Sequence, residues 1–204
     1  MILSQKRQEI IESAILLIRS KGYENTKLSD ILEASQIGKG QFYYYFSSKR
    51  ELGLAVIDYS FMAFNKQLLE NILSSPKSPE IKFDEMLDWL VMFHKTSRSK
   101  CGCLFGNLAV EMSEHDESFR EKVKEVFENW TEKIKLVLLE MIKPSEPADF
   151  LKVEKLAQGI VAMLEGGILM MKSKQDINVL KDMTELVRYL VDSYLPSYSP
   201  GKEE

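Results

Sequence analysis

The chain is poor in most of the residues that would commit it to covalent or metal chemistry. It has two cysteines in 204 residues, Cys101 and Cys103, two positions apart, which excludes a disulfide framework. The two histidines, His94 and His115, are distant in sequence, and a Cys-x-Cys beside them matches no zinc-ligand spacing. No metal and no cofactor is expected. Prolines number six and glycines ten, so long uninterrupted elements can form. No stretch reaches the roughly 18 apolar residues of a membrane span. The nearest approach, "IVAMLEGGILMM", is broken by Glu165, Gly166 and Gly167. The first residues, "MILSQKRQEIIESA", lack the apolar run of a signal peptide. These absences together point to a cytoplasmic protein with no membrane partner.

What is present is an ordinary globular composition, 45% hydrophobic and 28% charged, rich enough in apolar residues to bury a core. The net charge of -4 is unevenly spread. Residues 1–50 hold eight Lys/Arg and five Asp/Glu, whereas residues 51–204 hold nineteen and twenty-six. A basic module followed by an acidic body is the expected organisation.

Apolar residues recur at helical spacing. Ile10, Ile11, Ala14, Leu17 and Ile18 form one stripe, stopped by Lys21 and Gly22. Thr26 can cap a short helix with Leu28, Ile31 and Leu32 inward. A further short helix runs from Lys39 to Phe46. Ser48 and Glu51 have the spacing of a capping box, opening a long helix with Leu52, Ala55, Val56, Tyr59, Met62 and Leu69 on its apolar side. "SSPKSPEIK", residues 74–82, reads as a linker. Helices are then expected near 83–96, 102–112, 117–142, 151–174 and 180–194, with "KPSEPAD" breaking the chain between the third and fourth of them. No strand-type alternation of useful length occurs. The fold is expected to be all-α.

The most informative stretch is "SQIGKGQFYYYFSSK", Ser35 to Lys49. A phosphate-binding loop requires G-x-x-x-x-G-K-[ST] after a strand, and "GKGQ" has neither the spacing nor the strand. A piece of plain core explains Phe42 and Phe46, which share a helix face. It does not explain Tyr43, Tyr44 and Tyr45, which at about 100° per residue spread around most of a helix. A helix-turn-helix explains both. "LSDILEAS", "QIG" and "KGQFYYYF" supply a helix, a turn and a second helix able to enter a major groove. Gln41 can read an adenine edge, Lys39 and the tyrosine hydroxyls can reach bases or phosphates, and Gly40 leaves room for the duplex.

On these residues the segment "LSDILEASQIGKGQFYYYFSSKRELGLAVI", with the preceding "SKGYENTKLSDI", resembles the DNA-binding signature of the TetR (tetracycline-repressor-type) transcriptional regulators. The resemblance covers roughly residues 7–57. It implies a three-helix DNA-binding domain over residues 1–50, an effector-binding and dimerisation domain over 51–196, and a polar tail over 197–204. It also implies a double-stranded operator, a homodimer through the last two helices, and release by a small, largely apolar effector. The DNA contacts it implies fall at Lys27, Ser29, Lys39, Gly40, Gln41, Tyr43, Tyr44 and Lys49, with Tyr45 placed for a backbone contact. The chain departs from the usual pattern at Gln36, where glycine is common in the turn, and at Gly38, where serine commonly caps the recognition helix.

Elsewhere, Trp89, Phe93, Phe105, Phe127, Trp130 and Met163 have the apolar character of a small-ligand site, with Asn107 and Glu165 as polar groups. Core packing is the plain alternative for most of them. Cys103 has two readings. It is either a small space-filling residue or a thiol activated by a helix N-terminus and Lys100, gating the protein through oxidation or alkylation. His94 reads as a neutral core histidine, and His115 and Asp116 as a solvated turn. A pair of helix-interior glycines, Gly166 and Gly167, suggests close approach of another helix. An enzyme is not expected, since no Ser/His/Asp set, metal cluster or nucleotide loop is present. A protein-interaction module with a degenerate helix-turn-helix is the remaining class.

Overall fold

The computed structural model describes residues 5–96, 101–142 and 150–195. Among these residues every regular element is helical: α1 (Gln5–Lys21), α2 (Leu28–Ala34), α3 (Lys39–Tyr45), α4 (Lys49–Phe64), α5 (Pro79–Thr96), α6 (Leu104–Met112), α7 (Glu117–Met141), α8 (Phe150–Lys174) and α9 (Asn178–Tyr194). A π-helical segment, Asn65–Glu70, continues α4. The "KPSEPAD" break, Lys100 and the polar tail lie outside the described residues.

Contacts divide the chain into two compact units: Met1–Ala63 with Cys103–Val126, and Phe64–Gly102 with Phe127–Glu204. The first holds α1–α3, most of α4, α6 and the first part of α7. Its core is Ile10, Ala14, Ile31, Phe42, Phe46, Leu52, Val56 and Phe119, each at most 1% exposed. Gly53 of α4 lets the rings of Tyr23 and Phe119 close in; a Cβ there would stand 2.6 Å from a carbon of each ring. Those rings are tilted at 56° with centroids 5.0 Å apart, a favourable aromatic geometry.

The turn between α2 and α3 is a Schellman-type C-cap. The Ile37 N–H donates to the Leu32 carbonyl at 3.0 Å and the Gln36 N–H to the Glu33 carbonyl at 3.1 Å. Ile37 tucks inward as its hydrophobic contact, 9% exposed. Gln36 takes the left-handed position, φ 53°, where a non-glycine residue costs roughly 1 kcal/mol. Gly38 is the N-cap of α3 in extended conformation and offers no side-chain cap.

The helix starts differ from those expected. Thr26 is not a cap: it is fully buried and its hydroxyl donates to the Gly22 carbonyl at 2.6 Å. Instead, Asp30 accepts from the Lys27 N–H at 2.8 Å. The Ser48–Glu51 box is only half formed. Ser48 Oγ accepts from the Glu51 N–H, but the Glu51 carboxylate turns to the N–H and hydroxyl of Ser47. Leu28 and Leu32 are half-buried, and Met62 is 70% exposed, because the inward face of α4 runs through Leu52, Val56 and Ile57. Helix α5 begins at Pro79, inside the expected linker. Proline suits a first helical turn, where its missing N–H is no loss, and Ser78 Oγ accepts from the Ile81 N–H.

In the second unit, α8 and α9 are joined by a turn of three residues and pack along their length. Gly167 is where they meet: a Cβ there would lie 2.9 Å from Met183 Cγ. Arg188 of α9 bridges Asp84 and Asp88 of α5 at 2.8 and 2.7 Å, and Lys82 of α5 pairs with Glu140 of α7 at 2.6 Å. His94, 3% exposed, is buried. No helix among the described residues is long and apolar enough to cross a membrane.

Candidate nucleic-acid interface

Helix α3 is held by one face only. Phe42 and Phe46 are buried at 0 and 1% exposure, with ring centroids 5.8 Å apart. The Arg7 guanidinium lies 4.7 Å from the Phe46 centroid. At about 100° per residue, Gly40 and Tyr44 fall on the side opposite these anchors, with Gln41 beside them. Tyr44 is accordingly 81% exposed and Tyr43 55%. Lys39, Gly40 and Gln41 are exposed, and Tyr45 is half-buried. Edge-on ring contacts brace the tyrosines, Tyr43 against Phe42 at 5.4 Å and Tyr44 against Tyr45 at 4.9 Å. A Cβ on Gly40 would meet nothing within 4 Å among the described residues, so their packing does not require glycine there.

Lys27 and Ser29, at the start of α2, are exposed. Lys49, at the first turn of α4, is half-buried. Its ammonium lies 4.3 Å over the Tyr23 ring and 3.4 Å from the Glu24 carbonyl. Burial lowers its pKa from the ordinary lysine value, against the pull of Glu24, Glu111 and Asp30. Burial pushes the Tyr23 phenol up to about 12, with Glu24 and Asp116 adding to the rise.

Sequence reasoning missed the contacts that tie this surface to α6 and α7. The Glu111 carboxylate of α6 accepts from the Tyr23 N–H at 2.7 Å and the Glu24 N–H at 3.1 Å, gripping the turn between α1 and α2. Asp116 is not a solvated turn residue. It caps α7 by accepting from the Ser118 N–H at 2.9 Å and also takes the Arg50 guanidinium of α4, Nη2 to Oδ1 at 2.9 Å. The Arg50 hydrogen bond, reinforced by the two backbone N–H groups, holds the Asp116 carboxyl below its usual range. Lys122 of α7 pairs with Asp58 of α4. Pairs between sites 50 to 100 residues apart leave no periodic trace in a sequence.

The residues read as effector-contacting are divided between the two units. Phe105, 7% exposed, and Asn107 belong to the first unit, on α6. Trp89, Phe93, Phe127, Trp130 and Met163 belong to the second. There Trp89 and Phe93 are stacked at 5.0 Å, and Phe64 stands edge-on to both Trp89 and Trp130, at 6.1 and 5.7 Å. Trp130 is 2% exposed, and its indole N–H has no hydrogen-bond partner among the described residues. A buried donor left in that state costs about 1–3 kcal/mol. Cys103 is the N-cap of α6, with Sγ accepting from the Gly106 N–H at 3.5 Å. Lys100, the other proposed influence on this thiol, lies outside the described residues. Among the described residues no group of three or more His, Cys, Asp or Glu could hold a metal ion.

Residues 10–56 match the family described as bacterial regulatory proteins, tetR family. Residues 79–186, more than half of the chain, match the LmrA/YxaF-like C-terminal domain of transcriptional regulators. The chain belongs to the TetR family. It is a transcriptional regulator of that family, and these are DNA-binding proteins rather than enzymes. An HTH-type transcriptional regulator encoded in the lacX 3′ region of Lactococcus lactis subsp. lactis is 38% identical over 91% of this chain and 93% of its own length. The HTH-type transcriptional repressor DhaR of Mycobacterium sp. (strain GP1) is 25% identical over 94% and 93%. The crystal structure of a TetR regulatory protein from Rhodobacter sphaeroides superposes with a TM-score of 0.81 at 26% identity, covering 90% of this chain and 97% of that one. The helix-turn-helix of this TetR-family chain is therefore α2–turn–α3.

Proposed function

We propose that this TetR-family chain is a cytoplasmic repressor that binds a near-palindromic operator as a homodimer and is released by a small, largely apolar effector. The observation that carries the reading is the outer face of α3, where Tyr44 stands 81% exposed beside a glycine the fold does not need. Gln41 and Tyr44 read base edges. Lys27, Ser29, Lys39, Tyr43, Tyr45 and Lys49 hold phosphates. Lys49 reaches its phosphate by leaving the Tyr23 ring. Repression is in keeping with the relative DhaR, which is a repressor.

Dimerisation through α8 and α9 is supported by their exposed apolar residues, Leu169, Met170, Leu186 and Tyr189. Gly159 and Gly166, seven residues apart on one face of α8, add to it: a Cβ on either would meet nothing within 4 Å. Glycine inside a helix costs about 1 kcal/mol against alanine, and close approach of a second copy of α8 offsets that cost. A two-fold dimer presents its recognition helices to half-sites about one DNA turn, or a multiple of it, apart. The effector acts at the aromatic residues of the second unit, Trp89, Phe93, Phe127, Trp130 and Met163, and must favour the arrangement that cannot bind operator.

Gly40→Ala tests the DNA surface. The variant is expected to fold at least as stably as the parent, gaining about 0.5 kcal/mol of helix propensity. Its affinity for a duplex selected from random sequence by the parent protein should fall roughly tenfold or more, because the added methyl enters the contact. Equal affinity for both proteins would remove α3 from the interface.

The geometry of Cys103 favours a second reading, a repressor gated by oxidation or alkylation of this thiol. Its sulfur caps α6, an N-terminal position that stabilises a thiolate. The same helix carries Glu111, which grips the turn before α2. A sulfur bonded to an electrophile's carbon loses that cap. Cys103→Ser should then abolish release of operator by N-ethylmaleimide; release that persists excludes the reading.

A further inference from the structure

Within the cluster of Phe64, Trp89, Phe93 and Trp130, the buried indole N–H of Trp130 has no hydrogen-bond partner among the described residues. Around it Phe64, Trp89 and Phe93 are only half-buried, so the ring cluster is not sealed core. Its members meet edge-on and stacked, at centroid distances of 5.0 to 6.1 Å. A second observation falls at the same place. The residue just before the π-helical segment Asn65–Glu70 is Phe64, and such π turns are rare and often mark functional sites.

We infer that this cluster is an effector subsite for a neutral, planar ring compound bearing one carbonyl oxygen, with Trp130 Nε1–H as the donor that fixes the carbonyl. The inference rests on the effector-responsive reading given above and specifies its ligand. The four side chains carry no charge and no side-chain acceptor. A carboxylate or ammonium entering among them would lose its hydration with no opposite charge from these rings. A flat ring extends the stack of Trp89 and Phe93. A carbonyl oxygen satisfies the indole N–H, which a hydrocarbon of the same shape leaves unpaired. Discrimination therefore resides in one hydrogen bond, whereas the bulk of the affinity comes from ring burial.

The test uses acetophenone and its isostere isopropenylbenzene, which differ only in C=O against C=CH2, added to the 15N-labelled full-length protein. The chain has two tryptophans, so its spectrum has two indole N–H resonances. Trp130→Phe identifies one of them by its loss; if that variant unfolds, Trp89→Phe makes the same assignment. Acetophenone should move the Trp130 resonance downfield saturably and bind roughly 5-fold tighter than isopropenylbenzene. Isopropenylbenzene should give no downfield shift, and Trp130→Phe should bind the two compounds equally. A Trp130 resonance unmoved by acetophenone, as expected if the N–H points into the face of Phe64, overturns the proposal. So does an equal response to both compounds, or a shift confined to Trp89. Operator binding by the unliganded protein is measured in parallel: its presence alongside a failed titration discards the ligand assignment alone, and its absence discards the repressor reading.

Discussion

Replacing Tyr43 and Lys49 together by alanine is expected to weaken operator binding by about 100-fold or more and to flatten its salt dependence. On the proposed reading each dimer loses two hydroxyl and two ammonium contacts, and hydrogen bonds to charged partners are individually worth about 1.5–3 kcal/mol. Each lysine lost removes roughly 0.9 from the slope of log affinity against log salt, about 1.8 per dimer. Neither side chain holds the fold in the way Phe42 does: Tyr43 is 55% exposed, and Lys49 lies against the Tyr23 ring and the Glu24 carbonyl at the surface. The variant should therefore melt close to the parent. Filter binding or fluorescence anisotropy across a salt series, with the selected duplex, provides the measurement. Since phosphate contacts carry no base information, the loss should be the same for matched and mutated operators. Unchanged affinity and slope would show that these two residues do not meet the backbone.

Phe42→Ala produces the opposite pattern. Phe42 is fully buried, and its ring touches those of Phe46 and Tyr43. Large-to-small replacement at such a site costs about 3–5 kcal/mol, a large part of the roughly 5–15 kcal/mol that keeps a domain folded. The short helix α3, seven residues long, has little stability of its own and depends on this anchor. Operator binding should vanish together with a lowered melting midpoint, measured by circular dichroism. A stable Phe42→Ala protein would mean that α3 is secured elsewhere.

Much of this was legible in the sequence. The stripe of α1 repeats at helical spacing because the helix buries one face, and Phe42 and Phe46, four apart, had to share a face. The surplus of tyrosine on a helix too short to bury three of them pointed outward, and two of the three are largely exposed. Capping was less legible. Thr26 has the chemistry of an N-cap but spends its hydroxyl on the Gly22 carbonyl, and Glu51 turns to Ser47 rather than Ser48. Several residues near a helix start can satisfy the same N–H, and the choice depends on where the chain enters. Pro79 was read as linker because proline breaks helices, although it is tolerated in a first turn.

What the sequence by itself determined is the set of local periodicities, the helix-turn-helix spacing and the residues too polar or too numerous to be buried. Each depends on neighbours within a few positions. Only the tertiary structure decided which distant residues serve them. Arg50 meets Asp116, Glu111 holds the Tyr23–Glu24 turn, and Gly53 admits the rings of Tyr23 and Phe119. It also separated two adjacent glycines, Gly167 used by Met183 within the chain and Gly166 open. It left the Trp130 N–H buried without a partner among the described residues. A side chain's type limits what it can bond, but its partner is set by packing, which brings together groups that the chain keeps far apart.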